Sequence, residues 1–250
     1  MAWYAYCVAE KQAFPEVARH RKPVPMDQLV GVLGNQIFLY PASDFAVIVS
    51  EHTPQDTLDQ KSAVDHARVI GDCFKISTVL PFRFGTIFPD DAALRRAVRS
   101  NQRQFLINVE RLRGKAEMHL KVLVNDVCPD LPKYEVAACA GKEYLSRLRE
   151  TASMQRDRQI KARAISMQMH RMFTPLEEDI SCRRMESGKM QLDIAHLIDH
   201  CCVERYQNKY SSASQTMHDC SLALSGPWAP YHFIHRALRT AQGSGTHGQA

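Results

Sequence analysis

The sequence predicts an α+β protein of two domains, and three observations carry that prediction. Short apolar runs of strand character alternate with segments of helical spacing along the chain. The 250 residues exceed the roughly 100 to 150 of a common domain, so two small domains fit better than one. Hydrophobic residues make up 45% of the chain and charged residues 24%, which is the balance of a globular protein able to bury a core.

The elements follow in order. Residues 3–9 are aromatic and β-rich, a strand, and Pro15, Pro23 and Pro25 then interrupt regular structure. Apolar runs at 29–33, 36–40 and 45–50 are punctuated by Gly34-Asn35 and by residues 41–44, which predicts a small meander. Thr53-Pro54 supplies a cap and a first-turn proline, and Leu58, Val64, Ala67, Val69 and Ile70 recur at helical spacing, giving a helix over 54–72. Residues 77–88 read as one long strand with Phe82, Phe84 and Phe88 on a single face. Asp90 and Asp91 open an arginine-rich helix that runs to Arg113, with acids at its positive end, and Gly114 stops it. These elements make an N-terminal small mixed α+β domain at 1–113.

Residues 118–124 begin the second domain as a strand of a covered sheet. A basic helix, whole or in two pieces, occupies 141–173 with Tyr144, Leu145 and Leu148 on its inner face. Strands at 180–185 and 189–198 are joined by a tight turn at Ser187-Gly188, and a helix at 200–212 and a strand at 217–224 complete the set. The order βαββαβ predicts a ferredoxin-like C-terminal domain over 114–236, with an extended C-terminal tail whose last residues, 237–250, are disordered. That fold hosts enzymes, RNA binders and interaction modules, so it does not choose a function.

Several classes lack their local requirements. No apolar run approaches the roughly 18 to 20 residues that cross a bilayer, and the N-terminus lacks the pattern of a signal peptide, so a cytoplasmic protein is expected. Eight cysteines without a CxxC pair read as free, half-buried thiols. The net charge of +5 is modest, and basic clusters at 19–22, 95–103 and 147–163 read as solvated helix faces. Without GxGxxG, Walker, GxSxG or HExxH motifs, no enzyme and no cofactor is expected. His196 and His200 stand four apart beside Cys201, but in a strand that spacing is about 13 Å, too far for a shared metal ion. Glu177, Glu178 and Asp179 precede a strand and read as capping or solubilising acids, not a catalytic pair.

The rival reading is a nucleic-acid-binding module that uses basic helices and a ferredoxin-like sheet, with Phe82, Phe84 and Phe88 as stacking rings. Those rings belong to the other domain, and the strands around 116–125 and 180–198 contain no Phe, Tyr or Trp, so nucleic acid is not expected as a partner. The rings read instead as an inner sheet face under a helix.

Four phrases in sequence order resemble the gas vesicle protein F/L family: Pro81-Phe82-Arg83-Phe84-Gly85-Thr86-Ile87-Phe88; Gly114-Lys115-Ala116-Glu117 followed by Leu120-Lys121-Val122; Gly141-Lys142-Glu143-Tyr144-Leu145-Ser146-Arg147; and Gly226-Pro227-Trp228-Ala229-Pro230-Tyr231-His232-Phe233. Ala229 departs from that family's usual proline, and His196 stands where an aromatic often precedes a strand's Leu-Val. The resemblance implies a cytoplasmic, gas-vesicle-associated accessory protein, a minor structural component required for gas vesicle assembly. It would bind the major gas vesicle shell protein and other accessory proteins, and no membrane or small-molecule substrate is implied.

The shell subunits that the resemblance implies as partners would be small and very apolar, with edges that aggregate unless covered. An open sheet edge, or the groove beside residues 226–233, is expected to receive such a subunit by strand addition and apolar contact. Candidate contacts are Phe82, Arg83, Phe84, Trp228, Tyr231 and Phe233. Trp228 and Tyr231 are the expected anchors, against the alternative that they dock the tail onto the protein's own surface. Pro227 and Pro230 keep the segment extended under either reading.

Overall fold

The computed structural model describes residues 1–124, 141–174, 176–185, 191–217 and 220–235. The described residues divide into two units, Met1–Lys115 together with residues 228–235, and Ala116–Pro227.

In the first unit the elements run β1 (Ala2–Glu10), α1 (Pro15–Ala18), β2 (Val24–Val30), β3 (Gln36–Ala42), β4 (Phe45–His52), α2 (Gln60–Ile76), β5 (Val79–Pro81), β6 (Ile87–Phe88) and α3 (Asp91–Leu112). One antiparallel sheet has the order β2-β3-β4-β1-β5, and β6 also pairs with β1. β1 is buried at every residue from Trp3 to Ala9, which explains why it reads as a continuous apolar run without alternation. Tyr4 and Tyr6 share a core with Val69, Ile70 and Cys73 of α2. The alternate side chains meet α3: Trp3 Nε1 donates to Asp91 Oδ1 at 2.7 Å, and Phe45 meets Phe105 edge to face.

Two local expectations are corrected here. Helix α2 starts at Gln60, not residue 54, because Asp59 closes a capping box in which its carboxylate accepts from the Ser62 amide and Ser62 Oγ accepts from the Asp59 amide. Thr53 instead turns locally onto Asp56 through its amide and hydroxyl. The single strand expected over 77–88 is two short strands flanking a turn in which Gly85 takes φ +80°. Phe82 and Phe88 are therefore buried edge to face, while Phe84 swings outward, and the three rings do not share a face.

In the second unit β7 (Lys115–Val124), α4 (Gly141–Phe173), β8 (Glu177–Met185), β9 (Gln191–Asp199), α5 (Val203–Thr216) and β10 (Cys220–Trp228) follow one another. The sheet order is β10-β7-β9-β8. Met118, Leu120, Val122, Ile194 and Ile198 of the sheet pack with Met169, Phe173 and Tyr206 of the helices. The basic helix is one piece, yet Leu145 and Leu148 are 58% and 49% exposed, not turned inward. A helix of 33 residues spans about 50 Å, whereas strands of nine or ten residues span about 30 Å, so the sheet cannot cover its whole length. The side chain of Tyr144, the Ser187-Gly188 turn and the tail at 237–250 lie outside the described residues.

The second unit also ends earlier than the expected residue 236. Ala229 is buried in the first unit's core. The amide of His235 donates to Asn108 Oδ1 at 3.0 Å, and Asn108 Nδ2 returns a bond to the His235 carbonyl. A chain segment joins the unit that satisfies its backbone and buries its apolar atoms, and here that is the first.

Candidate functional site

The turn between β5 and β6 is built on a buried relay. His66 of α2 places Nδ1 2.9 Å from Tyr4 Oη and Nε2 3.2 Å from the Phe82 carbonyl. A carbonyl only accepts, so Nε2 carries the proton and Nδ1 accepts from the Tyr4 hydroxyl. The Tyr4 oxygen in turn accepts the Gly85 amide at 3.3 Å. Burial pushes the Tyr4 phenol up to about 12 and lowers the His66 imidazole, with the bond to Phe82 opposing the latter. Both groups are therefore neutral at pH 7, the state this relay requires.

The turn backbone is fixed at both ends. The Phe82 amide donates to the Tyr6 carbonyl, the Ala5 amide to the Thr86 carbonyl, and Thr86 Oγ1 to the Arg83 carbonyl at 2.7 Å. The result is a rigid lip that exposes Arg83, Phe84 and Ile87 and buries Phe82 and Phe88. Phe84 rests edge-on against Tyr4 and His66, with ring centres 6.4 and 5.8 Å away, and remains 42% exposed.

The segment after β10 is held in the same unit. Ala229, Pro230 and Phe233 are buried, and Arg111 of α3 donates to the Phe233 carbonyl. Trp228 and Tyr231 alternate with these anchors and are 44% and 39% exposed. Of the six candidate contacts, Arg83, Phe84, Trp228 and Tyr231 therefore present surface, whereas Phe82 and Phe233 are core residues.

The supporting residues carry only weak signals in the sequence. His66 precedes Val69, Ile70 and Cys73 at helical spacing, and that periodicity alone would have put it on the buried face. Asn108 and Arg111 carry no such sign, because their partners lie more than 100 residues away. His196 serves its own core: it stacks on Phe173 at 5.4 Å, is hydrogen-bonded to the Tyr206 hydroxyl at 2.5 Å, and burial lowers its pKa to about 4. His200 follows β9 in an exposed helical turn. Glu177 and Asp179 flank a register shift at the start of β8. Among the described residues no helix is long and apolar enough to cross a membrane.

Fold and surface together define a two-unit α+β protein with antiparallel sheets and exposed aromatic side chains set on braced turns. The family model of the gas vesicle synthesis protein GvpL/GvpF matches residues 2–235, and the chain belongs to that family, which ties it to gas vesicle formation. It is 28% identical to gas vesicle protein L of Streptomyces sp. (strain CB03234) over 233 residues, covering 88% of this chain and 82% of that protein. It is 24% identical to gas vesicle protein F of the same strain over 205 residues, covering 76% and 84% respectively. Among solved structures it resembles GvpF from Anabaena sp. PCC7120, with a TM-score of 0.72 and 16% identity over 94% of this chain and 99% of that one. GvpF from Microcystis aeruginosa is similar at a TM-score of 0.69, with the same identity and coverage.

Proposed function

We propose that this chain is a non-enzymatic accessory protein, a minor structural component of gas vesicle assembly that works in the cytoplasm at the vesicle and binds the major shell protein and other accessory proteins. The observation that carries this reading is the division of labour in residues 228–233. Ala229, Pro230 and Phe233 fix the segment to its own unit while Trp228 and Tyr231 remain half exposed. A tail that merely docked on its own surface would bury its largest rings first, since they hold most of the apolar area. Rings held outward on a braced backbone lose little entropy when a partner covers them, which is how an interface hot spot works.

Phe84 and Arg83 are a second exposed pair on the braced lip of the same unit. The strand order β10-β7-β9-β8 also supports reading the second unit as ferredoxin-like, with β8 as an edge open to strand addition. Pull-down with the major shell protein tests the anchor reading. Trp228→Ala with Tyr231→Ala is expected to lose capture by tenfold or more, that is about 1.4 kcal/mol or greater, at unchanged thermal stability. Undiminished capture by the folded double variant ends it.

A further inference from the structure

Helix α4 is longer than the core it serves. Met169 and Phe173 near its end are buried, whereas Leu145 and Leu148, which share their heptad columns near the start of the helix, stand exposed. Wound in heptads, the helix aligns Leu145, Ala152 and Gln159 in one column and Leu148, Gln155 and Ala162 in the column three residues on, the a and d positions of a coiled-coil seam. The adjoining e column is then Lys142, Arg149, Arg156, Arg163 and His170, without an acid in it. Arg149, Arg156 and Arg163 are all exposed. Glu143, Glu150 and Asp157 fall together in the next column, f, away from the seam. Seven residues rise about 10.5 Å, so the cations form an evenly spaced stripe beside the seam over three heptads.

We propose that α4 is one strand of a heterotypic coiled coil whose other strand is an acidic amphipathic helix of a different polypeptide, bearing Glu or Asp at every seventh position opposite Arg149, Arg156 and Arg163. Charge selects this occupant, because e and g residues decide which helices pair. A second copy of this chain would meet arginine with arginine in antiparallel array. In parallel array the cations would face the g column, where Tyr144, Thr151, Arg158 and Ile165 supply no carboxylate. A nucleic-acid duplex carries a charge about every 1.7 Å of its axis and has no use for Leu145 and Leu148 beside the stripe. Gln159 in the seam holds the register at a cost in affinity, which makes the pairing reversible, and the stripe of cations makes it sensitive to salt.

The test uses the full chain and two synthetic four-heptad peptides, both with Leu at a and d, one with Glu at every e and g and one with Lys there. Fluorescence anisotropy is expected to show the Glu peptide binding about tenfold or more tighter than the Lys peptide, with the difference shrinking as salt rises. Arg149→Glu with Arg156→Glu and Arg163→Glu is expected to reverse the preference, and a gain of Lys-peptide binding cannot come from unfolding. Equal binding of the two peptides, survival of Glu-peptide binding in the triple variant, or tighter binding of an oligothymidylate than of the Glu peptide would each overturn the assignment. None of these outcomes depends on Trp228 or Tyr231.

Discussion

Tyr4 and His66 show how two residues 62 positions apart shape a surface neither one forms. Tyr4→Phe removes the donor to His66 and the acceptor of the Gly85 amide, and it is expected to cost about 1 to 3 kcal/mol, read by urea unfolding. The lip should then loosen, with faster hydrogen exchange at Gly85 and Thr86 as its signature. His196 makes the chain sensitive to acid. Its pKa is lowered to about 4 in the folded state by burial and by the nearby His170, against about 6.5 in an unfolded chain. The folded state therefore binds fewer protons across that interval. The stabilisation is complete above pH 6.5 and is lost as pH falls through 4, a change of about 3 kcal/mol. His66, also lowered by burial, acts in the same direction. Urea midpoints from pH 7 to pH 4 are expected to fall, less steeply in His196→Phe.

Among the elements, legibility followed how local the signal was. The start of α3 was plain, since Asp90 accepts from the Ala93 amide at 2.6 Å within one turn. The start of α2 was not, because Thr53-Pro54 and Asp59 both have capping chemistry, and only the Asp59–Ser62 pairing decides between them. Strands β5 and β6 read as one in the sequence because an aromatic run hides the turn that Gly85 makes. In β10, Gly226 takes φ +119°, and a Cβ there would lie 2.8 Å from the Glu117 carbonyl oxygen. Gly226→Ala is expected to destabilise the second unit by about 2 to 4 kcal/mol, seen in its thermal unfolding, since the β7 backbone at Glu117 and Met118 must give way and the positive φ strains any side chain.

For the whole molecule, the decisive fact is that the first unit is completed by a segment from the far end of the chain. Ala229, Phe233 and His235 are bound to residues of β1, α2 and α3 or to their core. Phe233→Ala is expected to cost about 3 kcal/mol or more by calorimetry, as a buried ring is lost. Ending the chain at residue 227 should destabilise the first unit further, because the Asn108 and Arg111 partners leave with it.

The sequence by itself determined the α+β class, the alternating elements and the family, because strand alternation, helical spacing and glycine-bounded motifs are written within a few residues. Only the tertiary structure decided that Phe82 and Phe233 turn inward while Phe84, Trp228 and Tyr231 turn outward. It alone showed that residues 228–235 belong to the first unit and that α4 outruns its sheet. Those outcomes depend on which distant groups compete to bury a side chain or pair a backbone amide. That competition is settled by packing in space, where separation along the chain carries no weight.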